Sequence, residues 1–295
     1  MNRSWGATMM VSATLSMLVV PLDATTVSGA SSTPTCIISL SPSATETLFA
    51  LGAGAEVKAV DATANYPVGR LPKKRIDGFN PSVEGILSIC SAKPQLVVLS
   101  FDANQIQKKL TAMGVRVLAQ NAPANLASAY RQILQLGSAV HRPKQARVLV
   151  KHMRDSIAAA ITSVPHAARN QRVYYELDPT YYSVTSSSFV GSILKAMHVT
   201  NIADAKGSTS AGGYPQLSAE YIASANPTTI FLADTLCCGA TPQTVAQRVP
   251  FASVNAVKKH HVFELNDDIA SRWGPRLVTL VRTLARDINA TVKKQ

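Results

Sequence analysis

Two stretches of this 295-residue chain carry nearly the same pattern. Asn80-Pro81-Ser82-Val83-Glu84-Gly85-Ile86-Leu87 is echoed by Pro215-Gln216-Leu217-Ser218-Ala219-Glu220-Tyr221-Ile222. Each places a serine two residues before a glutamate, where a helix N-cap and first turn belong. Each is followed by an x-Pro-x-x-apolar run, Lys93-Pro94-Gln95-Leu96-Val97 and Asn226-Pro227-Thr228-Thr229-Ile230, that reads as a strand. A chain that repeats one such unit is constrained to fold as two related halves.

The rest of the pattern fits this division. Residues 36–41, 57–61, 95–100 and 115–119 read as short buried strands. Helices are expected after Ser43, with Glu46 as its capping-box partner, after Ser82, and over 104–113. The alternation restarts with strands at 173–177, 229–233 and 262–265 and helices at 189–197, after Ser218, and over 275–292. Strands alternating with helices over short links imply parallel sheets covered by helices. Between the halves, 125–163 is helical, and Pro143 opens a run whose apolar stripe includes Ala146, Val150, Met153 and Ile157. Twenty helical residues reach about 30 Å, enough to join two lobes. The expected fold is two doubly wound α/β lobes, 31–124 and 171–295, joined by a single long helix within 125–170, with a ligand cleft between the lobes.

Residues 1–30 read as a secretory signal peptide: Arg3, then an apolar run to Leu22, then Ser28-Gly29-Ala30 as a small-residue cleavage site. An uncleaved membrane anchor is the alternative. The chain carries 29 Lys+Arg against 17 Asp+Glu, a net charge of +12. Such an excess can mark a nucleic-acid partner. Here the basic residues fall in short runs such as Lys73-Lys74-Arg75 and Lys258-Lys259, and export makes nucleic acid an unsuitable partner. Cys36 follows Thr33-Pro34-Thr35, a poor context for lipid attachment.

In an exported chain the four cysteines point to disulfides. If strands 36–41 and 95–100 are parallel neighbours, Cys36 and Cys90 lie at the same sheet edge and pair. Cys237-Cys238 could bond to each other, pair with another molecule or stay reduced. Chemistry is sparse elsewhere. His260-His261 lacks the second pair of ligands a zinc site needs and reads as solvated histidines beside a strand. No metal site and no enzyme are expected. What remains is a set of aromatic and charged residues in loops that follow strands: Tyr66, Phe79, Tyr181, Tyr214, Asp268 and Arg272. In open α/β sheets, ligands bind beyond the carboxyl ends of the strands. Two such lobes face to face would wall a large, flat, partly polar ligand.

These residues resemble a known family. Ser39-Leu40-Ser41-Pro42-Ser43-Ala44-Thr45-Glu46, Asn65-Tyr66-Pro67 and Asn80-Pro81-Ser82-Val83-Glu84 look like N-terminal signatures of class III, helical-backbone substrate-binding proteins of bacterial ABC importers. Tyr214-Pro215-Gln216-Leu217-Ser218-Ala219-Glu220 and Ser271-Arg272-Trp273-Gly274-Pro275-Arg276 look like the matching C-terminal signatures. The resemblance implies an exported, non-enzymatic binding protein that holds a cobalamin-type corrinoid, with haem or a ferric siderophore as alternatives. It implies ligand contacts at Tyr66, Phe79, Tyr181, Tyr214, Asp268 and Arg272. Glu84 and Glu220 would dock on basic residues of the permease dimer, and the binding protein is expected to be a monomer at the outer face of the membrane. A metal-dependent chelatase or reductase on a related fold is the alternative from a different class.

Overall fold

The computed structural model describes residues 33–169, 171–207 and 211–293. The expected signal peptide lies outside the described residues. Both sheets belong to one compact unit that begins at Thr33. The first sheet contains β1 (Ile37–Leu40), β2 (Val57–Asp61), β3 (Lys74–Ile76), β4 (Leu96–Leu99) and β5 (Val117–Ala119), in the order β3-β2-β1-β4-β5, and every pairing is parallel. The second contains β6 (Arg172–Glu176), β7 (Thr200–Asn201), β8 (Thr229–Leu232) and β9 (Val262–Glu264), in the order β7-β6-β8-β9, again all parallel. In each sheet the chain enters at an inner strand, winds one way, then returns and winds the other. The two switch points therefore fall between β1 and β4 and between β6 and β8.

The central strands are continuous apolar runs because helices cover both faces. Ile-Ile-Ser-Leu of β1, Leu-Val-Val-Leu of β4 and Thr-Ile-Phe-Leu of β8 are buried at every position. β3 and β7 were not expected. Lys74-Arg75-Ile76 is an edge strand with two exposed basic residues, and Thr200-Asn201 is only two residues long, so neither carries an apolar run.

The helices are α1 (Pro42–Ala50), α2 (Val83–Leu87), α3 (Ile106–Ala112), α4 (Leu126–Ala139), α5 (Pro143–Thr162), α6 (Phe189–Ala196), α7 (Ala219–Ala225), α8 (Thr235–Cys238), α9 (Pro242–Ala246), α10 (Asn255–Lys258), α11 (Asp267–Ala270) and α12 (Leu277–Lys293). One expected cap is corrected. Ser41, not Ser43, caps α1: its hydroxyl accepts from the Ala44 N–H at 3.2 Å, and Pro42 occupies the first turn. Proline at that position gives up only an N–H that has no partner inside the helix, which moves the helix start two residues earlier. Ser82 and Ser218 do cap α2 and α7.

The 20-residue helix α5 starts at Pro143 and buries Ala146, Val150, Met153, Ile157 and Ala160. It packs against α4 on one side and α12 on the other. One continuous apolar cluster runs from Ile37 and Val98 of the first sheet through Met153 and Ile157 to Val173 and Phe231 of the second, with Leu284 of α12 inside it. The lobes thus share a core along the connector instead of hanging from a loose link. Close-packed interiors resist deformation, so large hinge bending about α5 is disfavoured. Cys36 and Cys90 are joined by a disulfide with their Cα atoms 6.4 Å apart, beside the starts of the paired strands β1 and β4.

Candidate functional site

The carboxyl ends of the first sheet open into a cavity of about 240 Å³. Ser41 follows β1, Thr63 follows β2, Phe79 follows β3, and Phe101 follows β4, and the wall opposite is made by Asp268 and Trp273 of the second half. Phe79 is 70% exposed, and its ring lies 5.6 Å from that of Phe101, tilted by 45°. The loop is shaped by Asp77, whose carboxylate accepts the Phe79 N–H at 2.9 Å, and by an Asn104 to Asn80 hydrogen bond of 3.1 Å. An aspartate bonding the N–H two residues on is a standard turn device. Two exposed phenylalanines held together have no folding purpose by themselves, and they offer an apolar face to a ligand.

Arg272 reaches the same cavity but is only 7% exposed, and both terminal nitrogens of its guanidinium are hydrogen-bonded within the protein. It donates to Asn65 Oδ1 at 2.7 Å, the Thr63 carbonyl at 3.0 Å, Asp268 Oδ1 at 2.5 Å and Glu46 Oε1 at 3.2 Å. Asn65 in turn donates to Asp268 Oδ2 at 2.5 Å. Glu46 is buried in α1 and also receives both Nε and Nη2 of Arg276, at 3.0 and 2.6 Å. Trp273 N–H adds a 3.2 Å bond to Ser43 Oγ. The segment between α11 and α12 is thereby clasped onto the N-terminal lobe. Removing one member would strand a buried charge. Glu46 was expected only as a capping residue, and its role in the clasp was not anticipated. Its partners lie 226 and 230 residues away, so the Ser-x-x-Glu pattern by itself points only to a helix cap.

Of the six residues expected at the ligand, Phe79, Asp268 and Arg272 line one cavity. Tyr66 lies elsewhere, with its ring 4.4 Å from the Arg276 guanidinium, and it lines a second cavity of about 400 Å³ with Phe49, Arg70 and His152. Tyr181 is half-buried against Phe251, with ring centroids 5.9 Å apart, and Arg248 lies 5.7 Å over its ring. Its backbone φ of +70° is the left-handed conformation of a tight turn. Tyr214 is exposed at the edge of the second lobe, and partial burial raises its phenol above the ordinary tyrosine range. Tyr182, also exposed, forms an isolated antiparallel bridge with Gln216, two residues beyond Tyr214.

Glu84 and Glu220 are exposed in the first turns of α2 and α7. Ser82 accepts from Gly85 N–H at 2.9 Å and Ser218 from Tyr221 N–H at 3.2 Å, so the two echoes build the same local structure. The Glu220 carboxyl is held below its ordinary range by its own backbone N–H and the Ser218 hydroxyl. His261 departs from expectation. It is buried, stacked at 6.4 Å on Phe263, with Nδ1 3.3 Å from the Thr228 carbonyl, because it closes the register between β8 and β9. Among the described residues no group of three His, Cys, Asp or Glu side chains is placed to hold a metal ion.

Two parallel α/β lobes sharing a long connecting helix, with a cleft at the carboxyl ends of their strands, define a helix-linked binding protein. The chain matches the periplasmic binding protein family over residues 37–269, and it belongs to that family. It is 30% identical over 264 residues to the uncharacterized ABC transporter substrate-binding lipoprotein YvrC of Bacillus subtilis, covering 86% of this chain and 80% of that one. It is 26% identical to a cobalamin-binding protein of Halobacterium salinarum, covering 88% of this chain and 71% of that one. Among solved structures it superposes with a TM-score of 0.75 on a possible iron-binding, periplasmic solute-binding protein of Staphylococcus epidermidis, at 27% identity over 87% of this chain and 99% of that one. The chain is a class III substrate-binding protein for ABC transport, a non-enzymatic carrier that hands a small-molecule ligand to a permease. This sets aside the chelatase or reductase alternative.

Proposed function

We propose that this protein is exported and delivers a cobalamin-type corrinoid to its ABC importer. The observation that carries the reading is the Phe79–Phe101 pair, an exposed aromatic face opposite Asp268 and Trp273. A corrin has apolar faces and amide-bearing edges. One face would rest on the two phenylalanines while Asp268, 27% exposed at its side chain, accepts an edge N–H. The cavity would take one side of such a ligand, and Tyr214 is the candidate contact for the remainder. The similarity to a cobalamin-binding relative supports the same ligand class. Arg272 would act by holding Asp268 in place. Glu84 and Glu220, exposed on matching helices, would dock on the permease, and a single monomeric chain would serve both permease halves.

A second reading is favoured by Tyr66. Its phenol is exposed beside Arg276, an arrangement that suits ligation of ferric iron in haem or a siderophore. Titrating the purified mature protein with cyanocobalamin, haemin and a ferric siderophore separates these readings. Trp273 lines the cleft, so its fluorescence reports occupancy directly. Saturable quenching by cyanocobalamin alone is the expected result. Quenching by haemin that disappears in Tyr66→Phe would establish the second reading instead.

A further inference from the structure

The sequence left Cys237-Cys238 undecided, and the structure joins these adjacent residues by a disulfide at the exposed end of α8. We propose that Leu236 and this vicinal disulfide form the second lobe's apolar contact for the ligand, a soft platform facing the Phe79–Phe101 pair. The inference rests on the reading of the cleft as the site of a flat metal-chelate ligand.

Topology supplies the first support. α8 follows β8, one of the two strands that flank the second lobe's switch point, just as Phe101 follows β4 at the switch point of the first. The echoed x-Pro strands are β4 and β8 themselves, so Phe101 and α8 occupy corresponding loops of the two halves. Ligands bind in such crevices. Attachment to the cleft supplies the second. Asp267 accepts the backbone N–H groups of Thr235, Leu236 and Cys237 at 2.9, 2.9 and 2.8 Å, and the Thr235 hydroxyl at 3.0 Å. The next residue, Asp268, accepts from Asn65 across the lobes and from Arg272, which itself bonds Glu46, Thr63 and Asn65 of the first lobe. The platform is therefore tied to the interlobe clasp through two consecutive carboxylates.

Side-chain chemistry supplies the third. With its backbone held inward, α8 turns Leu236 outward at 64% exposure, and both cysteines are exposed beside it. An exposed leucine next to a sulfur pair, at a ligand-binding edge, is a small apolar patch in an otherwise polar loop. Sulfur is polarizable and packs well on flat conjugated faces. The cross-link and the three amide bonds fix the patch beforehand, so little ordering entropy is lost when a ligand covers it. The disulfide also withholds two thiols that would otherwise compete for a chelated metal.

The test compares cyanocobalamin and haemin affinities, by Trp273 quenching, for the wild type, Leu236→Ala and the double variant Cys237→Ser/Cys238→Ser. Each change is expected to weaken binding of the preferred ligand about 5- to 10-fold, in line with losing part of one apolar side chain's burial. A second measurement is independent of any effect of the substitutions on folding: reduction of the 237–238 disulfide in the wild type by a water-soluble phosphine, followed by mass spectrometry. Saturating ligand should slow that reduction several-fold. Variant affinities within twofold of the wild type, or ligand that leaves the reduction rate unchanged, would overturn the platform while leaving the cleft reading intact. A wild type that binds neither ligand removes both.

Discussion

Arg272 shows how position in a signature differs from contact with a ligand. The sequence resemblance places it at a ligand-touching position, whereas the structure encloses its guanidinium among Glu46, Asn65, Thr63 and Asp268. Phe79 is the opposite case, exposed and without a structural duty. Phe79→Ala should weaken ligand binding about 10-fold, the scale of a lost aromatic contact, while changing unfolding stability by less than about 0.5 kcal/mol. Calorimetric titration beside urea denaturation checks both halves of that statement. Asp234 makes a separate prediction. Burial first, and the neighbouring Glu176 carboxylate second, push its pKa up to about 7, against the pull of Arg248. The folded chain then holds this proton more tightly than the unfolded chain, whose aspartate titrates near 3.8. Stability from Asp234 is fully present below about pH 4 and is lost as the pH rises toward about 7. Asp234→Asn should therefore flatten the stability profile across that window, which denaturation at a series of pH values would show. A slope identical to the wild type would mean that Asp234 ionises freely in the fold.

At the scale of elements, the clasp between α1 and the α11–α12 segment is the strongest interlobe feature. Glu46 meets Arg272 and Arg276 in a buried setting, where truncating one partner leaves the others unpaired. Glu46→Ala should lower stability by about 3–5 kcal/mol, read as a drop in the urea midpoint. A loss below about 1 kcal/mol would show the clasp to be a surface contact in solution. The Cys36–Cys90 bond closes a separation of 54 residues, and replacing both cysteines by serine should cost about 2–4 kcal/mol. The elements themselves were largely legible in the sequence. Buried parallel strands read as unbroken apolar runs, and Pro143 and the α5 stripe announce the connector. What was hidden depended on distance or on edges. Glu46 finds its partners 226 and 230 residues away, so no local pattern marks it. β3 is an edge strand with polar sides, and the start of α1 turned on which of the two serines flanking Pro42 caps the helix. The candidate site was legible in part: Phe79 and Asp268 share a cavity, whereas Tyr66 and Tyr181 follow strands without facing that cavity, because a loop's course is set by its own turns.

The whole molecule combines a stiff scaffold with a small open cleft. The core that runs along α5 from sheet to sheet keeps the lobes in a nearly fixed relation, which fits the proposal that the permease triggers ligand release. Under the proposed function, docking of the echoed glutamates on the permease would supply that trigger. Glu84 and Glu220 contribute little to the isolated protein, since exposed carboxylates gain little until paired. Reversing both to lysine should abolish uptake in a transport assay and leave ligand affinity within twofold; a parallel loss of affinity would assign them to the cleft. The basic residues behind the net charge of +12 fall in short runs spread along the chain, not in one long basic segment. The measurement that bears most directly on the account is calorimetric titration of the purified mature chain with cyanocobalamin. One saturable site per chain, lost progressively in Phe79→Ala, is the predicted result. Absence of heat and of Trp273 quenching at saturating cyanocobalamin, with the protein folded, would contradict it.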